Sequence, residues 1–368
     1  MKKITFAAMA AALMVPAVAS ADVTVKLPAD AAAKYPVTHS LFTDMVKPRA
    51  ERPQQVVDTV AVVNGTMKLA VDPAGAARYY IMFGGRDAVS FYAMPGDDLV
   101  VDVTSVSPLD YTVTGSELMN GVSELKKQEN AVVARYQEIV SKQPVDQEAV
   151  KQVQQDYTNV IKDFIKAHQG SPAALSAMMN LDGEDFLEYY ALIPETAKHN
   201  PMFTLVDYQK GYVEKSIAAE KKLEALQSGN VDAPKFTLKN LDGKNVSLSD
   251  FKGKWVILDF WGGWCPWCIK GFPALKDAYE QYKPELEIIG VDCNESEDAW
   301  RKAVAKYELP WVQVYNPGAD KGCNILAEYG VQGFPTKVIV NPEGKVANIT
   351  VGEDPSFFET LGKLINGK

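Results

Sequence analysis

Seven residues from Trp255 to Trp261 are apolar apart from Asp259, and three positions later the chain reads Trp264-Cys265-Pro266-Trp267-Cys268. A short continuous apolar run predicts a buried strand. Pro266 suits the first turn of a helix, where its missing N–H costs nothing. A buried strand that hands a cysteine pair to the start of a helix restricts this part of the chain to layered α/β architectures.

The rest of the C-terminal region agrees. From Ala233 the chain opens with a hairpin pattern, Lys235 to Leu238 and Asn245 to Leu248 around the turn Leu241-Asp242-Gly243-Lys244. Strand-like runs at Trp255 to Phe260 and Leu286 to Val291 flank a helix, and a second helix is predicted over Asp298 to Tyr307. After Gly333-Phe334-Pro335-Thr336, the runs Lys337 to Val340 and Lys345 to Val351 form another hairpin, and Phe357 to Ile365 closes as a helix. Parallel strands with crossover helices plus a terminal hairpin give a mixed central sheet flanked by helices.

Upstream the pattern differs. From about Val23 to Thr114 the β-branched runs Val56 to Val63, Thr66 to Val71, Tyr79 to Phe83 and Leu99 to Val103 are separated by Asn64-Gly65, Asp72-Pro73, Gly84-Gly85 and Pro95-Gly96-Asp97. A small antiparallel β-sandwich is the reading. Between Ser116 and Leu226 the apolar spacing becomes helical, as in Leu118, Val122 and Leu125, with breaks near Gln143-Pro144, Gly170-Ser171-Pro172 and Asn200-Pro201. Met178, Met179, Tyr189 and Tyr190 read as core of that helical region.

The first residues have the three parts of a secretory signal: Lys2 and Lys3, an apolar stretch from Ile4 to Val18, and Ala19-Ser20-Ala21 before Asp22. Cleavage after Ala21 and a periplasmic protein, soluble in an oxidising compartment, are the expectation. The organisation expected over 368 residues is a signal peptide at 1–21, a β-rich domain at 22–115, a helical region with a linker at 116–230, and the α/β domain at 231–368. A net charge of −9, with no cluster of Lys and Arg, argues against nucleic acid or anionic lipid as partners.

The chemistry is in the cysteine pair. A helix N-terminus presents unpaired N–H groups and the positive end of a dipole, which lowers a thiol pKa from about 8.5 into the range of about 3.5 to 7.5. Cys265, expected at the exposed helix start, is then the attacking thiol. Cys268 lies one turn along the same face and resolves the mixed disulfide. A zinc site needs four ligands, and Cys293 and Cys323 are 30 residues apart with no His pair beside them. A purely structural bridge is disfavoured because a tight loop opening a helix is labile. No cofactor and no metal is expected.

These residues resemble the thioredoxin superfamily, and more closely the ResA/TlpA-like exported thiol-disulfide oxidoreductases. The phrases that carry the resemblance run from about Asp232 to Lys368. They are Ala233-Pro234-Lys235-Phe236, Leu248-Ser249-Asp250-Phe251-Lys252-Gly253-Lys254, Asp259-Phe260-Trp261, the dithiol, Pro273, and Gly333-Phe334-Pro335-Thr336. The resemblance implies a thioredoxin-like domain, a cis Pro335 facing the dithiol, a helix kinked at Pro273, and a buried Asp259 that takes the Cys268 proton. Trp264, Pro266, Trp267, Phe334 and Thr336, around the dithiol and the proline, are the expected substrate contacts. Pro266-Trp267 replaces the Gly-Pro pair of ordinary thioredoxins, and Ile288 aligns where they often have a lysine. The front half resembles, more loosely, the β-rich domain ahead of some Bacteroides-type envelope thioredoxins.

The implied function is dithiol–disulfide exchange on exported proteins bearing thiols or disulfides, as a reductant. It needs an electron donor or acceptor, for which a membrane thiol-disulfide transporter is one candidate. Alternatives are an isomerase or oxidase whose front region forms a homodimer, a peroxidase, and a copper-binding or chaperone module. Copper sites of this fold usually recruit a His, and His39, His168 and His199 all lie outside the domain. Cys293 and Cys323 are expected on the dithiol side of the sheet, either bonded to each other or as two free thiols.

Overall fold

A computed structural model describes residues 22–48, 51–84, 87–229 and 231–367. The signal segment expected at 1–21 lies outside the described residues. The chain divides into two compact units, with the border between Val213 and Glu214.

The first unit begins with β1 (Asp22–Lys26), β2 (Lys34–Leu41), the short helix α1 (Phe42–Met45), β3 (Asp58–Ala61), β4 (Thr66–Ala70), β5 (Ala77–Gly84), β6 (Asp87–Ala93), β7 (Leu99–Val106) and β8 (Leu109–Thr114). They form two four-stranded sheets, ordered β4-β1-β7-β8 and β3-β2-β5-β6. Each has one buried face because burial alternates along its strands, as at Val23 and Val25 or Val89, Phe91 and Ala93. The expectation of a purely antiparallel sandwich is corrected at one pair, since β1 runs parallel to β7. The long stretch of chain between Lys26 and Leu99 supplies the connection that a parallel pair requires.

Helices α2 (Glu117–Val140), α3 (Gln147–Ala167), α4 (Pro172–Met178), α5 (Gly183–Ala191) and α6 (Met202–Gln227) follow. Ser116, Asp146 and Ser171 cap three of them through side-chain oxygens that accept backbone N–H groups. Met178 and Tyr189 are buried among them. The border between the units falls inside α6, and its last turns belong to the second unit. There Leu226 is buried and Ser216 Oγ donates to Gln332 Oε1 at 2.7 Å.

The second unit contains β9 (Thr237–Asn240), β10 (Asn245–Ser247), β11 (Trp255–Trp261), α7 (Pro266–Tyr282), β12 (Leu286–Asp292), α8 (Glu297–Tyr307), β13 (Val312–Tyr315), α9 (Ile325–Glu328), β14 (Thr336–Val340), β15 (Val346–Val351) and α10 (Ser356–Ile365). Seven strands make one mixed sheet in the order β10-β9-β13-β12-β11-β14-β15. Strands β11, β12 and β13 are parallel and the remaining pairs antiparallel. This is the thioredoxin-like domain. The sequence reading lacks β13, a four-residue strand between Trp311 and Asn316 that is too short to show a period.

Two apolar cores lie on the two faces of this sheet, and strand alternation assigns residues to them. Val256, Leu258 and Phe260 enter one core with Ile289, Val291 and Tyr329. Ile257 and Trp261 enter the other with Phe272, Leu275, Trp300 and Phe357. Asp259, two residues from each of these last strand positions, therefore points to the face covered by α7. Among the described residues no helix is long and apolar enough to cross a membrane.

Candidate active site

Cys265 is the N-cap of α7, and Pro266 is its first residue. Cys265 and Cys268 are joined as a disulfide, and Cys265 Sγ accepts the Cys268 N–H at 3.2 Å. After reduction the same N–H and the helix end favour a thiolate at Cys265. The expectation of an exposed attacking cysteine is corrected: Cys265 is 3% exposed and Cys268 2%. The loop and the indoles around them carry the open surface. Thus the N-cap position, rather than exposure, distinguishes the two sulfurs in the oxidised form.

Trp264, just before the pair, and Trp267, between the two cysteines, are 49% and 59% exposed. Trp264 Nε1 donates to the Cys293 carbonyl at 2.8 Å, and its ring meets that of Phe334 edge-on at 5.4 Å. The Lys270 ammonium sits 5.0 Å from the Trp267 ring centroid. These contacts fix Trp264 as part of the loop, while Trp267 lies on the surface beside exposed Pro266.

The Phe334–Pro335 peptide bond is cis. Phe334 packs against the core that includes both cysteines. The Pro335 carbonyl accepts from Gly352 N at 2.7 Å, and the Gly333 carbonyl from Thr336 Oγ1 at 2.8 Å. Thr336 is fully buried, so its expected role as a substrate contact is corrected. Its hydroxyl braces the loop from inside.

Asp259 is 1% exposed, and its Oδ1 has no hydrogen-bond partner. Burial pushes its carboxyl up to about 6, against the opposing charge of Lys337 and with the help of Glu353. Ile288 is in the apolar core, as its aligned position suggested, but a lysine is present all the same: Lys337 of β14 is paired in register with Asp259. Its signal was the same as that of Asp259, an ionisable residue inside an apolar strand.

A second acid group lies under the loop before the dithiol. Gly263 N donates to Glu295 Oε1 at 2.7 Å. The Asp292 carboxyl is fully buried, and burial followed by the neighbouring Glu295 raises it to about 9. Neither Asp292 oxygen has a hydrogen-bond partner among the described residues. The Glu295 carboxylate nearby makes a second negative charge there unfavourable, so the proton stays on Asp292. Nothing in the sequence reading picked out this pair, although Asp292 ends an apolar run in the same way that Asp259 interrupts one.

Cys293 and Cys323 are free thiols. The expectation that they share the dithiol side is corrected. Cys293 is buried in the core on the opposite face, where Cys323 also packs. The period of two sends positions 289, 291 and 293 away from α7. Cys293 Sγ donates to the Val291 carbonyl at 3.3 Å, and burial raises its pKa well above that of an ordinary thiol.

Residues 230–349 match the AhpC/TSA family. The thiol-disulfide oxidoreductase ResA of Bacillus subtilis (strain 168) is 38% identical over 130 residues, which are 35% of this chain and 70% of that protein. The ResA of Bacillus anthracis is 38% identical over 131 residues, 35% of this chain and 73% of its own. Among solved structures, the thioredoxin domain of a thiol-disulfide oxidoreductase from Bacteroides vulgatus is 36% identical, with 38% of this chain and 98% of that one covered at a TM-score of 0.35.

Proposed function

The chain belongs to the ResA-like thiol-disulfide oxidoreductases, and from this we propose that its dithiol reduces disulfides of exported proteins in the periplasm. The observation that supports this reading is the placement of Cys265 at the N-cap of α7, with Asp259 buried on the sheet face that α7 covers. The leader-like residues 1–21 support the compartment.

In the first step the Cys265 thiolate attacks one sulfur of a substrate disulfide. A bond from Cys265 to the substrate forms, the substrate's own S–S bond breaks, and its other sulfur leaves as a thiolate. In the second step Asp259 takes the proton of Cys268, and the new thiolate attacks the Cys265 sulfur. The Cys265–Cys268 bond forms while the bond to the substrate breaks, so the substrate leaves with the two electrons of the dithiol. Trp264, Trp267 and the backbone of Phe334 provide an apolar rim and a short edge along which an extended chain docks. A membrane thiol-disulfide transporter is the partner proposed to return electrons to the dithiol.

Insulin reduction followed by turbidity, with a redox titration of the dithiol, tests the reading. A reductant gives steady turnover and a potential nearer that of thioredoxin, about −270 mV, than that of a strong oxidant, about −120 mV. A potential at the oxidising end, with oxidation of reduced substrates, rules out the reductase.

A further inference from the structure

Lys337 is an ammonium among apolar side chains. Along β14, Val338 and Val340 belong to one core and Ile339 to the other, so Lys337 shares the dithiol face with Ile339 and stands across the β11–β14 pair from Asp259. Its side chain is 3% exposed, and its Nζ lies 2.6 Å from Glu353 Oε1 and 5.9 Å from the Phe357 ring centroid. Glu353 follows β15 and its side chain is 24% exposed, so the pair runs from the interior to the surface.

The Glu353 carboxylate occupies a space that one residue of α7 leaves for it. Gly271, one turn beyond Cys268, is buried, and a β-carbon there would stand 2.8 Å from Cδ and 2.9 Å from Oε2 of Glu353. Apart from proline, glycine is the least favourable residue in a helix interior. Here its missing side chain lets an acid from another element dock against the helix that carries the dithiol.

We propose that Glu353 is a positioning residue for the resolving step: seated over Gly271 and holding the Lys337 ammonium, it sets how strongly that ammonium acts on Asp259. The proposal rests on the reading of Asp259 as the base for Cys268. A buried ion pair is a poor source of stability, because desolvation offsets much of its attraction. It does fix the local potential. The charged groups that act on Asp259 are Lys337 from β14 and Glu353 beyond β15; Cys293, at the end of β12, is coupled to it, and the dithiol of Cys265 and Cys268 is on the α7 face to which Asp259 points. Against the effect of burial, Lys337 favours the ionised form of Asp259 and Glu353 opposes it.

The two charges therefore act in opposite directions, which a structural role alone does not produce. The full-length oxidised protein, labelled with 13C-carboxyl aspartate and assigned with Asp259→Asn, gives the Asp259 midpoint directly by NMR titration. Glu353→Gln is expected to lower the midpoint and Lys337→Gln to raise it, each by about one pH unit. Gly271→Ala, which displaces the carboxylate, is expected to shift it in the same direction as Glu353→Gln. The acid limb of the resolving rate in stopped-flow should move with the midpoint. If Lys337→Gln does not fold, Glu353→Asp decides: it keeps the charge and should stay nearer the wild type than Glu353→Gln. Midpoints that coincide with the wild type, or that shift the same way in both charge variants, overturn the proposal, as does a rate limb that ignores the midpoint. Insulin reduction by the wild type is read in parallel. Its absence sinks the reading of the dithiol itself, whereas full reduction with unmoved midpoints sinks only the role of Glu353.

Discussion

The backbone N–H of Gly263 points at Glu295, 2.7 Å from its Oε1, so the loop that delivers Cys265 is tied to the segment that follows β12. The tie has a titratable foundation in Asp292. Its pKa is raised from 3.8 to about 9, so between these values the folded protein binds a proton that the unfolded chain has released. Stability is then greatest at the acid end and falls as pH rises towards 9, by at most about 1.4 kcal/mol per pH unit for this group. Asp259, raised to about 6, adds to the fall only below that pH. Asp292→Asn keeps the shape of the side chain without titrating. In thermal unfolding from pH 6 to 9 it should show a flatter profile than the wild type and should be the more stable protein at pH 9. A variant as steep as the wild type would remove Asp292 from the account.

Cys268→Ser should accumulate mixed disulfides with substrate, because Cys265 still attacks and nothing resolves. Non-reducing electrophoresis after exposure to a disulfide substrate reads this directly. Cys265→Ser should trap none, and both variants should lose insulin reduction. Trapping by Cys265→Ser would exchange the two roles.

Asp259→Asn should slow the resolving step by about 100-fold and leave the first attack nearly unchanged. The wild-type resolving rate should rise through a midpoint near pH 6 as the carboxyl ionises, and the variant should lose that limb. Equal rates for the two proteins in stopped-flow from pH 5 to 8 would make Asp259 structural.

Thiol counting distinguishes the two pairs of cysteines. In the oxidised native protein Cys293 should resist alkylation, being fully buried with a raised pKa. Denaturant without reductant should release two free thiols, Cys293 and Cys323, and reduction should bring the count to the chain's four cysteines. No free thiol before reduction would mean a second bridge.

The fold of the C-terminal unit was legible because its strands are buried on both sides and read as unbroken apolar runs, as Trp255 to Trp261 and Leu286 to Val291 do. Cys265-Pro266-Trp267-Cys268 then fixed where the helix starts. What was not legible depends on distance in space. Glu353 has no local pattern to mark it, and its meaning comes from the absent side chain of Gly271, 82 residues earlier in the numbering (353 − 271). The burial of Cys265, at the end of the loop before α7, has no period to record it, whereas Thr336 shares the alternation of buried Val338 and Val340 in the interior strand β14. Lys337 and Asp292 could have been read by the rule that singled out Asp259, since each is an ionisable residue in or at the end of an apolar strand. In the first unit the parallel pairing of β1 with β7 joins segments far apart in sequence, and pairing of that kind leaves no trace in either strand alone.

Strand alternation at the end of β12 has a consequence for the fidelity of the exchange. Cys293 is only 25 residues beyond Cys268 (293 − 268), yet it lies in the core beneath the sheet, together with Cys323. Of the chain's four cysteines, only Cys265 and Cys268 belong to the core on the α7 face. The sheet thus keeps the two pairs of sulfurs in separate cores, and under the proposed exchange an internal bridge from the dithiol to Cys293 is not expected to form.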